Sequence, residues 1–179
     1  NASAIKLTAI LETPMKQFDL MHDVNARGTF LVTQKCLPYL LESDNPHMLS
    51  ISPPLNLDEH WFAPHVAYTM AKYGMSLMVL GAAGELRGKV GVNALWPRTA
   101  IDTAAMAEFK PASQGGVLRS PDIMADAAHL ILTSEAAKVT GNFFVDDELL
   151  AMHGITDLSA YAPEGTSDED LLPDFFVPS

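Results

Sequence analysis

The chain has 179 residues, 48% of them hydrophobic and only 18% charged, which predicts a folded globular domain rather than a disordered segment. Its net charge of −11 is concentrated at one end, where residues 146–179 hold nine acidic residues and no Lys or Arg. Without a basic surface nucleic-acid binding is not expected, and no apolar run is long enough to span a membrane. A single cysteine, Cys36, and the absence of a secretory signal pattern predict a cytoplasmic protein without disulfides.

The first predicted helix begins at Pro14, because proline is well tolerated in the first turn of a helix. Its apolar stripe runs as far as Tyr39, and Asn25 lies on that stripe near the middle. Pro38 is expected to kink or end this helix. Residues 48–52 then form a short apolar segment that two prolines terminate, which predicts a buried strand.

A second long helix is predicted from Pro64 to Arg87, with Tyr68 and Lys72 on its inward face. The same face continues through apolar residues at helical spacing. A buried ammonium is costly without a partner or a function. A positive charge one turn from a phenol would lower the tyrosine pKa, as a general acid/base near neutral pH requires. Because Tyr-x-x-x-Lys spacing also arises by chance, its surroundings have to decide.

Two further strands are predicted at residues 90–96, where Pro97 ends the strand, and at residues 143–145. Between them we expect a short helix around residues 103–109 and a longer one that begins at residues 120–122. Strands that alternate with helices predict an α/β fold with a parallel sheet. Three strands would leave much apolar surface uncovered, so we expect the chain to be part of a larger domain.

The acidic tail, residues 147–179, is expected to pack onto a domain formed by residues 1–146. It ends in a run of apolar residues, 175–177, that needs a surface to cover it. The alternative is a peptide that binds a partner protein.

Several features, in this order along the chain, resemble the short-chain dehydrogenase/reductase family. The resemblance covers essentially the whole chain, and residues 51–57, 93–97 and 173–176 favour one branch of the family. It implies a Rossmann-type doubly wound parallel sheet, of which this chain would hold the C-terminal half only. The matching features are Asn1-Ala2-Ser3, Asn25 in mid-helix, Ser52 at a strand end, the Tyr68 and Lys72 pair, and the strand end Val92–Pro97.

The resemblance implies an oxidoreductase that moves hydride between NADP(H), or alternatively NAD(H), and an apolar carbonyl or secondary alcohol. Tyr68 would be the acid/base, and Lys72 would bind the nicotinamide ribose and lower the tyrosine pKa. Asn25 would lie at a helix distortion and hold a water of a proton relay. The alternative for Asn25 is a buried side chain bonded to its own helix backbone.

Two segments depart from the family pattern. Pro53 stands where the family places its catalytic serine, so either Ser52 takes that role, as we favour, or the hydrogen bond is missing. After Pro97, Ile101 matches the backbone that binds the nicotinamide carboxamide, and Thr103 matches a phosphate contact. The cofactor-binding residues implied by the resemblance are therefore Asn1, Tyr68, Lys72, Pro97, Ile101 and Thr103.

The resemblance also implies a homo-oligomer that binds a nicotinamide cofactor and a small apolar substrate. No cluster of Cys, His and carboxylates has metal-ligand spacing, so no metal site is predicted. Trp61 and Phe62 could belong to the core or line the substrate pocket. The rival function is a non-catalytic interaction module with the same fold, which Pro53, the altered segment after Pro97 and the acidic tail favour.

Overall fold

A computed structural model of the chain describes residues 2–104, 106 and 116–178. Three parallel strands form one sheet in the order β1-β2-β3, as the alternating pattern predicted. In the register of the sheet, Ser50 pairs with Ala94 and Leu95 pairs with Phe144. The strands are β1 (His47–Ile51), β2 (Gly91–Trp96) and β3 (Phe143–Val145).

Helices flank these strands. Both long helices of the later chain lie where the apolar spacing predicted them, as α3 and α4. The short helix predicted at residues 103–109 falls largely outside the described residues. Among those residues, no helix is both long and apolar enough to cross a membrane. The helices are α1 (Met15–Met21), α2 (Gly28–Leu40), α3 (Val66–Glu85), α4 (Asp122–Leu132) and α5 (Asp146–Met152).

The first predicted helix is interrupted by one π-helical turn, His22–Arg27, which separates α1 from α2. Pro38 lies inside α2, and the helix ends two residues beyond it at Leu40. Met21 is fully buried, whereas Val32 is 62% exposed. Only the first half of the predicted stripe is therefore covered by the rest of the described chain.

Opposite faces of β2 pack against different helices. Val79 and Ala83 of α3 contact the face that carries Val92 and Ala94. Leu95 points to the other face, because successive strand residues alternate. There it meets α4 and α5, so helices cover both faces of the sheet, which is the doubly wound arrangement. The buried residues on that second side are Ile123, Ala127, Ile131, Leu149 and Leu150.

The end of the chain returns to the carboxyl end of β2 as an irregular segment, residues 171–178, named here the C-terminal strap. Its backbone follows the residues after β2: the Ala100 amide donates to the Leu172 carbonyl at 2.8 Å, and the Asp174 amide donates to the Arg98 carbonyl at 2.9 Å. Phe176 has a left-handed backbone, with φ of 72°, and its side chain is fully buried. Burial of a large aromatic ring offsets the strain of that conformation.

Candidate active site

Helix α3 delivers Tyr68 and Lys72 to the carboxyl end of the sheet. Both are nearly buried, at 5% and 3% exposure, and they lie one turn apart on the inward face, as predicted. The Lys72 ammonium donates to the carbonyl of Ile51, the last residue of β1, at 2.8 Å. It also lies 4.8 Å from the centre of the Trp96 ring at the end of β2. The charge is thus fixed between the ends of two parallel strands.

A cavity of about 290 Å³ opens at this point. Crevices at the carboxyl ends of parallel strands are where open α/β sheets bind ligands. Four residues predicted from the sequence as cofactor-binding, Lys72, Pro97, Ile101 and Thr103, line this one cavity. Its remaining lining residues are Ile51, Trp96, Met106, Pro121, Met124 and Asp174.

The ionisation of the Tyr68 and Lys72 pair differs from the sequence expectation. Burial, chiefly, and the Asp174 carboxylate raise the pKa of Tyr68 above its ordinary value rather than lowering it. Burial lowers the pKa of Lys72 to about 8, against the opposing effect of Asp174. The sequence prediction rested only on the lysine one turn away, which would lower the pKa of Tyr68. Burial and the Asp174 carboxylate shift that pKa in the opposite direction.

Ser52 follows β1 and is fully buried. Its hydroxyl has no hydrogen-bond partner among the described residues, so it does not bond to Tyr68. The adjacent Pro53 carbonyl is held by the Ser76 hydroxyl of α3 at 2.6 Å. An unpartnered buried hydroxyl costs free energy that a bound hydrogen-bonding group would recover. The catalytic role of Ser52 stays a prediction.

Asn25 lies in the π-helical turn, at the helix distortion that the resemblance implied. Its side chain bonds to the backbone of Ala4 twice: the amide donates to the carbonyl at 2.8 Å, and the Asn25 oxygen accepts from the amide N–H at 2.9 Å. The alternative prediction, that the side chain bonds to its own helix backbone, is therefore wrong. Its place in a proton relay stays a prediction, and Asn1 lies outside the described residues.

An aromatic cluster that the sequence analysis missed surrounds Tyr68. Phe176 is at its centre, with ring centres 6.3 Å from Tyr68 and 5.8 Å from Trp96. Trp61 and Phe62 are partly buried and pack against the same core, which is the first of the two positions considered for them. The only sequence sign of Phe176 was an apolar run near the chain end that needed a surface.

His65 belongs to this cluster and precedes α3. The Thr69 hydroxyl donates to the Trp61 carbonyl at 2.9 Å, so it accepts from His65 Nδ1 at 3.0 Å, which fixes the ring tautomer. Burial lowers the pKa of His65, which is therefore neutral near pH 7.

Arg98, in the altered segment after Pro97, joins the strap to α5. Its guanidinium pairs with Asp147 and Glu148 of α5 and donates to the Pro178 carbonyl at 2.8 Å. The Arg98 amide donates to the buried carboxylate of Asp146 at 2.9 Å. Burial, chiefly, raises the pKa of Asp146 to about 6. Asp146 and Arg98 thus join the loop after β2 to the helix after β3.

Comparison with known proteins identifies the family. A family model described as enoyl-(acyl carrier protein) reductase matches residues 1–148. The chain belongs to the short-chain dehydrogenase/reductase family. The prediction from the motif order is confirmed.

The similar proteins also confirm the branch that residues 51–57, 93–97 and 173–176 favoured. Hydroxysteroid dehydrogenase-like protein 2 of Danio rerio is 52% identical over 177 residues, which are 99% of this chain and 42% of that protein. The chain therefore spans less than half the length of this short-chain dehydrogenase/reductase relative.

Solved structures of the family agree with the fold. A Xanthomonas campestris protein, whose assignment as a dehydrogenase is itself provisional, is 52% identical with a TM-score of 0.92, covering 100% of this chain and 65% of that one. A short chain dehydrogenase of Mycobacterium thermoresistibile is 42% identical with a TM-score of 0.89, covering 100% of this chain and 63% of that one.

More distant neighbours share the fold alone. The angucycline C-6 ketoreductase LanV was solved with bound NADP and is 24% identical, with a TM-score of 0.66. A 4-hydroxyisoleucine dehydrogenase was solved with NADH and is 21% identical, with a TM-score of 0.63. Both nicotinamide nucleotides therefore occur on this architecture.

Proposed function

We propose that the chain forms the catalytic part of an oxidoreductase that moves hydride between NADP(H) and an apolar carbonyl or secondary alcohol, with NAD(H) as the alternative cofactor. The supporting observation is the shared cavity at the carboxyl ends of β1 and β2. Lys72 lines it together with Pro97, Ile101 and Thr103, and Tyr68 lies one helical turn away.

The cavity's residues fit the nicotinamide end of such a cofactor. The Lys72 ammonium has three donors, and the Ile51 carbonyl takes one, so others are free for ribose hydroxyls. Thr103 would contact a phosphate and the Ile101 backbone the carboxamide, as the resemblance implies, while Pro97 forms part of the wall. When bound, the cofactor would supply or accept the hydride.

The chain's own residues would handle the proton. Tyr68 is neutral at pH 7 and would donate its proton to a carbonyl oxygen in the reductive direction, although its raised pKa makes it a weaker acid than an ordinary tyrosine. The Lys72 charge would stabilise the tyrosinate left behind. The unpartnered Ser52 hydroxyl would donate a second hydrogen bond to the same oxygen, and Asn25 would support proton resupply.

Three further expectations belong to this proposal. The mostly apolar lining of the cavity, which includes Ile51, Trp96 and Met124, favours a small apolar substrate. Phe30 of α2 and Leu77 of α3 are 59% and 58% exposed and line an apolar groove, which supports a homo-oligomer. The cytoplasmic location rests on the composition, and the division of the chain at residue 146 stays a prediction.

One observation favours the rival function, a non-catalytic interaction module. Phe176 covers Tyr68, and the Ser52 hydroxyl is bonded to neither Tyr68 nor another described residue. Such a site could retain the fold without turnover.

The replacement Tyr68→Phe separates the two functions. In the full-length protein, oxidation of NADPH by a panel of apolar ketones should fall by about 10²–10⁴ when the acid is removed. Tyr39→Phe is the matched control, because that ring is 76% exposed and does not line the cavity. Equal rates in Y68F and wild type would contradict the acid/base role. A wild-type protein that reduces no ketone with either nucleotide would favour the interaction module.

A further inference from the structure

The C-terminal strap brings a carboxylate into the candidate active site. Asp174 lines the same cavity of about 290 Å³ as Lys72, Trp96, Ile101 and Thr103. In the sequence, residues 173–176 served only as a mark of one branch of the family, and Asp174 was assigned no role in a site. A cavity that holds one ammonium and one carboxylate, with mostly apolar walls, strengthens their mutual attraction.

The backbone holds Asp174 firmly in this position. Pro173 forms an antiparallel bridge with Thr99, and the Asp174 amide donates to the Arg98 carbonyl at 2.9 Å. On the other side, the Phe175 carbonyl accepts from the Trp96 indole at 2.8 Å. Trp96 thus touches the strap through its N–H and the Lys72 ammonium through its ring face. One indole therefore contacts both the Lys72 ammonium and the backbone beside Asp174.

A hydrogen bond from the next residue orients the Asp174 carboxylate. Its Oδ1 accepts from the Phe175 amide at 2.6 Å. This bond uses one oxygen of the carboxylate and leaves acceptor capacity on the other for the cavity.

We propose that Asp174 is a positioning residue of this site, whose carboxylate keeps the Lys72 ammonium charged inside the buried cavity that the two side chains share. The inference rests on the proposed function, because it assigns Asp174 to the same Tyr68 and Lys72 pair. It adds to the site a component that the C-terminal strap supplies.

The charges around the pair agree with this role. Burial lowers the pKa of Lys72 to about 8, and Asp174 opposes that fall. The pKa of Asp174 is raised to about 6, chiefly by burial and also by Asp146, while Lys72 counteracts the rise. At pH 7 both groups are therefore mostly ionised. Among the described residues, the other titratable groups close to the pair are Tyr68 and the neutral His65 on the α3 side and Asp146 at the start of α5, while the Arg98 guanidinium is already paired with α5.

The replacement Asp174→Asn tests the inference in the full-length protein. It keeps an oxygen for the Phe175 amide while it removes the charge. Ketone reduction needs a charged Lys72 and a neutral Tyr68, and loss of Asp174 lowers the pKa of both. The alkaline midpoint of the kcat/KM profile should therefore move to lower pH by roughly one unit. Glu169→Gln, an exposed charge removed from the same acidic tail, should leave the midpoint unchanged. Asp174→Glu, which restores the charge, should return the midpoint toward the wild-type value.

A second measurement does not depend on turnover. An NMR titration of the Lys72 side chain in protein with carbon-labelled lysine, assigned with Lys72→Arg, should show the same acid shift in D174N and none in E169Q. If D174N does not fold, Asp174→Ser, whose hydroxyl can accept from the Phe175 amide, should show that shift. An unchanged Lys72 titration would overturn the role of Asp174, even in an active enzyme. A shifted titration in a protein without turnover would retain the role and reject the oxidoreductase.

Discussion

Helix α3 and the C-terminal strap reach the same cavity by different means. The helix supplies Lys72 to the cavity, and Tyr68 is buried one turn away on the same regular inward face, which also buries Met75 and Val79. The strap supplies Asp174 from an irregular backbone, held by main-chain bonds to the loop after β2 and by Phe176. A spacing of four residues is enough to place Tyr68 and Lys72 on one face of the helix. The position of the strap depends instead on contacts between residues some 80 apart along the chain. The comparison shows that helical periodicity is enough to place Tyr68 and Lys72, whereas the strap adds Asp174 and changes how that pair ionises.

The largest expected effect on folding is at the strap's aromatic anchor. Phe176→Ala should lower the free energy of unfolding by about 3–5 kcal/mol, because it leaves a cavity among several packed rings. The neighbouring Phe175→Ala should cost only about 1–2 kcal/mol, since that ring is half-buried and its carbonyl bond to Trp96 survives. Urea unfolding of the full-length variants measures both. Equal losses would show that the strap is held by its backbone alone.

An intermediate effect is expected where α3 crosses the π-helical turn. A Cβ at Gly74 would lie 2.9 Å from the Cβ of Ala26, so Gly74→Ala should destabilise by about 1–3 kcal/mol. Gly84, on the same helix, has nothing within 4 Å of such a Cβ. Gly84→Ala should instead stabilise by about 0.5 kcal/mol through helix propensity. Thermal unfolding of the two variants should move in opposite directions, and a common direction would mean that the helix contact tolerates an extra methyl group.

The smallest effect on folding is expected at Ser52, the buried residue that follows β1. Ser52→Ala removes an unpartnered buried hydroxyl and should therefore leave the free energy of unfolding unchanged or raise it by up to about 1 kcal/mol. Ser76→Ala, which releases the Pro53 carbonyl, should cost about 1–2 kcal/mol. If Ser52 donates to the substrate oxygen, ketone reduction in S52A should nevertheless fall by about 10²–10³. Normal rates in a stable S52A protein would remove Ser52 from the catalytic set.

The regular part of the molecule could be predicted from the sequence because its physics is local. Alternation of short apolar runs with amphipathic segments located the three strands and the helices α3 and α4. The same periodicity placed Lys72 on the inward face. The resemblance assigned cofactor contacts to Ile101 and Thr103, and in the structure both residues line the same cavity as Lys72.

The rest depends on groups that come together only in the folded chain. The raised pKa of Tyr68 results from burial under the strap, which helical spacing cannot reveal. Asp174 lies in a stretch where eight other acidic residues make a carboxylate unremarkable by composition. The tether of Asn25 to Ala4 joins positions 21 apart, and from the sequence only a relay water or the helix's own backbone was considered as a partner of this amide.

The seating of Phe176 has an optical consequence. The ring centres of Trp61 and Trp96, the two tryptophans of this chain, lie 6.0 and 5.8 Å from the ring centre of Phe176. Indole emission from these residues therefore originates from the surroundings of one phenylalanine. Stopped-flow fluorescence can follow the packing of the C-terminal strap during refolding, without an attached dye.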